Sequence, residues 1–127
     1  MNILIYRYGS ICEPDVITGF EELGNHVHEI TAEIYNKDLL PSEGVTLLKN
    51  ELLAHSYDFV FSINFFPFIS EVCNIFQIRY LCWTVDSPVM ELYSYSIKNP
   101  WNRIFLFDLA QYNEFSPKNP DCIFHLP

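Results

Sequence analysis

The sequence predicts an α/β fold: a Rossmann-like, doubly wound, mostly parallel sheet of about six strands in three layers. Three observations carry that expectation. The stretch from Tyr57 to Pro88 contains two apolar runs, one with Phe59, Val60, Phe61 and Ile63 and the other with Tyr80, Leu81, Cys82, Trp83 and Val85. Neither run shows the polar alternation of a half-exposed strand, so both read as strands covered on both faces. Between them Phe68, Ile69, Val72, Cys73 and Phe76 recur at helical spacing after Pro67, which suits a first helical turn because its missing N–H is no loss there. The unit is strand, helix, strand. Each run ends in small polar residues, Ser62 and Asn64 for the first and Thr84, Asp86 and Ser87 for the second. In a parallel sheet those ends share the carboxyl edge, where open α/β sheets bind ligands.

The remaining elements follow in order. Asn2 to Arg7 is a first strand, and Gly9 allows the sharp turn after it. Asp15 to Leu23 is a helix started by Pro14 and Asp15, stopped by Gly24, and facing inward with Val16, Ile17, Phe20 and Leu23. A short strand spans His26 to Thr31. Ala32 to Pro41 is polar and irregular, with room for a short extra strand. Ser42 to His55 forms a second helix with Val45, Leu48, Leu52 and Leu53 inward and Glu43 in its first turn. Beyond the central unit come a helical turn after Pro88, a turn at Asn99-Pro100-Trp101, a strand at Arg103 to Phe107, a helix at Leu109 to Phe115 and a strand at Cys122 to His125. The third strand is the most apolar and follows a helix, so it pairs most simply with the first, in the order 2-1-3-4-5-6 with right-handed crossovers. The order 3-2-1-4-5-6 is the alternative.

A chain of 127 residues forms one domain and buries roughly two-thirds of its unfolded surface. Its 7 Lys and Arg against 16 Asp and Glu give a net charge of -9, which repels phosphate backbones and anionic lipid, so nucleic acid is not an expected partner. No apolar run reaches transmembrane length, and the start reads as a buried strand rather than a leader, which places the protein in the cytoplasm. Cys12, Cys73, Cys82 and Cys122 form no C-x-x-C pair and are expected as free thiols, with Cys73 and Cys82 in the core. His26 and His28 share one face of a short strand, but no third ligand accompanies them, so no metal site is expected.

The carboxyl edge gathers Arg7, Tyr8, Gly9, Ser10, Asn64, Thr84, Asp86, Ser87 and Asp108 from four strands. Their convergence predicts a ligand-facing crevice, with Asp86 as the candidate catalytic residue and Arg7, Gly9, Ser10, Asn64, Thr84, Ser87 and Asp108 as candidate substrate-binding residues. Arg7 is expected to face Asp86 and Asp108. Each residue also has a structural alternative: Asn64 and Asp108 can cap the helices after them, and Asp86 with Ser87 and Pro88 can start a turn. The loop after the first strand has one glycine rather than G-x-G-x-x-G, and Glu13 stands at the helix start where a pyrophosphate would lie. A self-sufficient dinucleotide site is therefore not expected, and the chain lacks the acidic cluster of a receiver domain and the hydroxyl-rich loop of a flavodoxin.

With these residues in view, the chain resembles the N-terminal domain of bacterial GT-B glycosyltransferases of the spore-maturation, CgeB-like kind. The stretches that carry the resemblance are Y-R-Y-G-S-I-C-E-P-D, Y-D-F-V-F-S-I-N-F-F-P-F-I-S-E-V-C, Y-L-C-W-T-V-D-S-P, N-R-I-F-L-F-D and H-L-P, which are spread along most of the chain, from Tyr6 to Pro127. The resemblance implies one of two Rossmann-like domains facing each other across a cleft, this one holding an acceptor that the sequence does not identify. A C-terminal partner domain would then bind the nucleotide-sugar donor, so no cofactor is expected in this chain and the chain alone is expected to be inactive. On this reading Pro127 falls where a linker to the donor domain begins. The competing class is a stand-alone binding or interaction module on the same fold.

Overall fold

The computed structural model describes residues 1–127 and contains one six-stranded sheet in the order β2-β1-β3-β4-β5-β6. Every neighbouring pair is parallel. The strands are β1 (Asn2–Tyr6), β2 (His26–Ile30), β3 (Phe59–Ile63), β4 (Arg79–Thr84), β5 (Asn102–Leu106) and β6 (Ile123–His125). The helices are α1 (Glu13–Glu22), α2 (Ala32–Tyr35), α3 (Pro41–Ala54), α4 (Pro67–Phe76) and α5 (Leu109–Phe115), with short 3-10 turns at Met90–Tyr93, Tyr95–Lys98 and Ser116–Lys118. This is the expected α/β class and the first of the two expected strand orders.

Side chains alternate across the sheet with period two and feed two cores. One face carries Leu4, Tyr6, Val60, Tyr80, Cys82, Ile104, Leu106 and Ile123 against Leu48 of α3, Ile69 and Val72 of α4, and Phe115 of α5. The other carries Ile3, Ile5, Phe61 and Ile63 against Ile17 of α1 alone. Handedness explains the imbalance. A right-handed crossover places its helix on one face when the chain steps one way along the sheet and on the opposite face when it steps back. Only β1 to β2 steps back, so α1 has its face to itself and the third layer reaches no further than the β2-β1-β3 half.

Several local expectations need correction. The polar segment from Ala32 holds the short helix α2 and no extra strand. Leu23 is 81% exposed and Leu53 75% exposed: Leu23 follows Glu22, the last residue of α1, and Leu53 lies in the last turn of α3. All four cysteines are free; Cys73, Cys82 and Cys122 are buried. No helix is long and apolar enough to cross a membrane.

Candidate functional site

The carboxyl edge is built on a buried hydrogen-bond relay between β3 and β4. The Phe66 N–H donates to the Tyr80 hydroxyl (3.0 Å), Tyr80 donates to Ser62 Oγ (2.5 Å), and Ser62 donates to the Asn64 carbonyl (2.7 Å). This relay pins the loop that leaves β3 and holds Asn64 at φ 62, a left-handed conformation that asparagine tolerates better than most residues. Burial pushes the Tyr80 phenol far above its usual range, so it stays a neutral donor. Asn64 is thereby aimed across the strand ends. Its Nδ2 donates to the Tyr8 hydroxyl (2.9 Å) and to Asp86 Oδ2 (2.7 Å), and its Oδ1 accepts from the Val85 N–H (3.0 Å). Asn64 therefore ties the loops after β1, β3 and β4 together; it does not cap α4, whose N-cap is Phe66.

Around this hub lies a cleft of about 350 Å³ lined by Tyr8, Glu33, Asn64, Phe66, Asp86 and Glu91 among others. Its position is the switch point of the sheet, between β1, whose crossover goes one way, and β3, whose crossover goes the other. Tyr6 donates to Glu33 (2.9 Å) and its ring meets those of Phe66 and Phe68, while Phe66 also packs against Tyr8. Burial raises the Tyr8 phenol above its ordinary value, and the charges of Asp86 and Glu13 add to the shift. The cleft thus presents aromatic surface, a neutral phenol and three carboxylates, with no cation in its lining. A dent of the same 350 Å³ on the outside of α3 is lined by Leu39, Ser42, Glu43, Thr46 and Leu47; it holds a single titratable group, and no strand end reaches it.

The other predicted residues are placed differently. Arg7 does not face Asp86 or Asp108: its guanidinium turns toward β2 and pairs with Glu13 (3.2 Å) and Glu29 (2.7 Å). Burial alone would lower its pKa, but these two partners outweigh it and hold it above the ordinary value. Glu13 is fully buried and accepts from the Tyr8 N–H (3.0 Å), the Gly9 N–H (3.0 Å) and Arg7 Nε. The carboxylate sits where a phosphate lies in a nucleotide-binding loop, with the backbone donors already engaged. Gly9, at φ 100, serves this turn rather than the cleft, and Lys37 closes it from outside by donating to the Tyr8 carbonyl. Ser10 accepts from the Cys12 N–H (3.3 Å), a local turn bond at the start of α1.

Thr84 is fully buried on the helix-covered face, and its hydroxyl has no partner, so it is not a substrate contact. Ser87 and Asp108 line a second cavity of about 160 Å³, on the other side of Pro88 and Val89, that also includes Tyr93, Gln111 and Glu114. Asp108 accepts from the Gln111 N–H (3.1 Å) and so caps α5, as its structural alternative required. The single crevice expected from the sequence is therefore two, and only Asn64 and Asp86 of the eight predicted residues line the larger one. Glu33, Phe66 and Glu91 were missed. Phe66 stands in the quoted F-F-P-F run, whereas Glu33 and Glu91 sit in connections whose patterns give no direction to a side chain.

No three His, Cys, Asp or Glu side chains are grouped to hold a metal ion; His28 instead stacks on His55, beside Tyr57. No family model, curated protein or solved structure matches this chain.

Proposed function

We propose that this chain is the acceptor-side domain of a GT-B-type glycosyltransferase, with the cleft at the switch point as the acceptor site and Asp86 as the general base. The observation that carries the reading is the setting of Asp86: an exposed carboxylate held at 2.7 Å by Asn64 on the rim of an aromatic-walled cleft that contains no cation. Carboxylates accept hydrogen bonds from hydroxyl groups, and aromatic rings pack against the C–H faces of a sugar, so the cleft suits a neutral, hydroxyl-bearing acceptor. Three carboxylates repel a pyrophosphate. In the reaction Asp86 takes the proton of the acceptor hydroxyl as its oxygen attacks the donor's anomeric carbon and the nucleoside diphosphate leaves. Asn64 fixes the carboxylate and leaves its second oxygen without a protein partner, available to that hydroxyl.

The donor belongs elsewhere on this reading. Calorimetric titration of the 127-residue chain with uridine- and guanosine-diphosphate sugars is expected to give no dissociation constant below about a millimolar. Micromolar donor binding would move the donor site into this domain and overturn the assignment. Joined to its donor domain, the Asp86→Asn variant is expected to lose turnover far more than acceptor affinity, with stability unchanged to about 0.5 kcal/mol. Unaltered turnover would make Asp86 a structural residue and favour a binding module without catalysis.

A further inference from the structure

Opposite α3, α4 and α5, the β4-β5-β6 half of the sheet has no helix over it. Leu81, Trp83, Phe105 and Leu126, with Val16 and Phe20 of α1 as one wall, line an apolar groove there, and at the amino edge it runs into a second groove whose charged residues are Arg79, Arg103 and Asp58. Interior strands of a parallel sheet are ordinarily buried on both faces by helices, yet here Leu81 and Trp83 of β4 and Phe105 of β5 are only half-buried, and Phe124 on the edge strand β6 is 38% exposed. In a chain of net charge -9 neither arginine has a carboxylate at salt-bridge distance, the only salt bridges belonging to Arg7, although Arg103 Nη1 already donates to the Pro100 and Asn102 carbonyls and Arg103 is half-buried.

We infer that this strip is a docking surface for an amphipathic helix of another polypeptide segment, lying antiparallel to the strands with its carboxyl end on Arg79 and Arg103. Three features define that occupant. The six residues of β4 span roughly 20 Å, the length of a helix of about thirteen residues. A helix in the usual crossover direction brings its negative dipole end and last-turn carboxylates to the amino edge, where the guanidinium groups are. The strip is open, so an acyl chain laid on it would keep much of its surface in water. A second copy of this chain does not fit: α1 stands a full helix layer above the sheet beside the strip, and its outer surface carries the exposed polar residues Asp15, Thr18 and Glu22. The inference does not depend on the reading of the carboxyl-edge cleft.

The test uses the whole chain in a Trp101→Phe background, which leaves Trp83 as the reporter. Two helical peptides of about thirteen residues are titrated, both with leucines at i, i+3 and i+4, one with glutamates and the other with lysines in the last turn. The acidic peptide is expected to shift Trp83 emission to the blue and to bind about fivefold tighter, the effect of two exposed ion pairs. Arg79→Glu combined with Arg103→Glu should reverse the preference, and Leu81→Asp should abolish binding; the arginine variants suffice if the latter fails to fold. Equal affinity for both peptides, no binding of either, binding of decanoate in their place, or a dimer in sedimentation that Leu81→Asp dissociates would each overturn the inference.

Discussion

Glu13 shows most sharply how one side chain decides what the β1–α1 loop can do. Its buried carboxylate takes two backbone N–H groups and Arg7, so removing the charge weakens three hydrogen bonds and leaves at least one donor without an acceptor. Glu13→Gln is expected to cost about 2–3 kcal/mol in urea unfolding, since the new amide turns a donor toward donors while Arg7 keeps only Glu29. A change below 0.5 kcal/mol would show that the loop does not rely on this anion. Thr84 makes the opposite case. Its hydroxyl is buried without a partner, so Thr84→Val should leave stability level or raise it slightly in urea unfolding. The sequence could place Glu13 at the helix start, because loop and helix boundaries follow from Gly9, Pro14 and the apolar pattern. It could not tell Thr84 from Asp86. The two stand two positions apart, on the same side by the period of a strand, and what separates interior from rim is that β4 ends at Thr84 and the chain turns away before Asp86, an end point the apolar pattern does not mark.

At the level of elements, the strands and long helices were legible because their residues obey a period, and only their ends moved. The expected inward face of α1 holds for Ile17 and fails for Leu23, which follows Glu22 at the close of the helix. Leu23→Gln is accordingly expected to change stability by less than about 0.5 kcal/mol, whereas an inward Leu23 would lose several times that on the same substitution. The helical turn expected after Pro88 is present as two 3-10 turns, and what escaped reading lies where the sequence has no period: α2, and the placement of Glu33 and Glu91 in the cleft. Their conformation is set by what they pack against. The relay from Phe66 through Tyr80 to Asn64 is likewise a tertiary property, since it joins residues of β3, β4 and the loop after β3 that no local pattern couples.

For the molecule as a whole, the strand order was legible and the coverage of the sheet was not, because an apolar strand looks the same whether a helix of its own chain or of another lies on it. The buried acids of the core set its response to pH. Burial pushes the Cys73 thiol up to about 12 and raises Cys82, Tyr6 and Tyr80 well above their ordinary values. These groups bind their protons more tightly in the folded state, so the stability they confer is complete below the ordinary thiol value of 9.0. It declines as pH rises past the ordinary thiol and phenol values, where the unfolded chain ionises first. Urea midpoints measured from pH 8 to 11 should therefore fall with increasing pH, and a flat profile would contradict the burial of these groups. For the same reason a thiol reagent at pH 8 should modify half-buried Cys12 first and reach Cys73 and Cys82 only on unfolding.

The strand order also has a meaning in time. Taken in sequence, each new strand joins a free edge of what is already there: β2 on one side of β1, β3 on the other, then β4, β5 and β6 outward. No strand has to be inserted between two that are already paired. A chain emerging from the ribosome can therefore extend its sheet in the order in which it is made, and only the β1–β3 pairing must wait for a long intervening segment. The last strands to arrive, β4 to β6, are also those whose second face remains open, so the sheet can be complete before anything settles on that side.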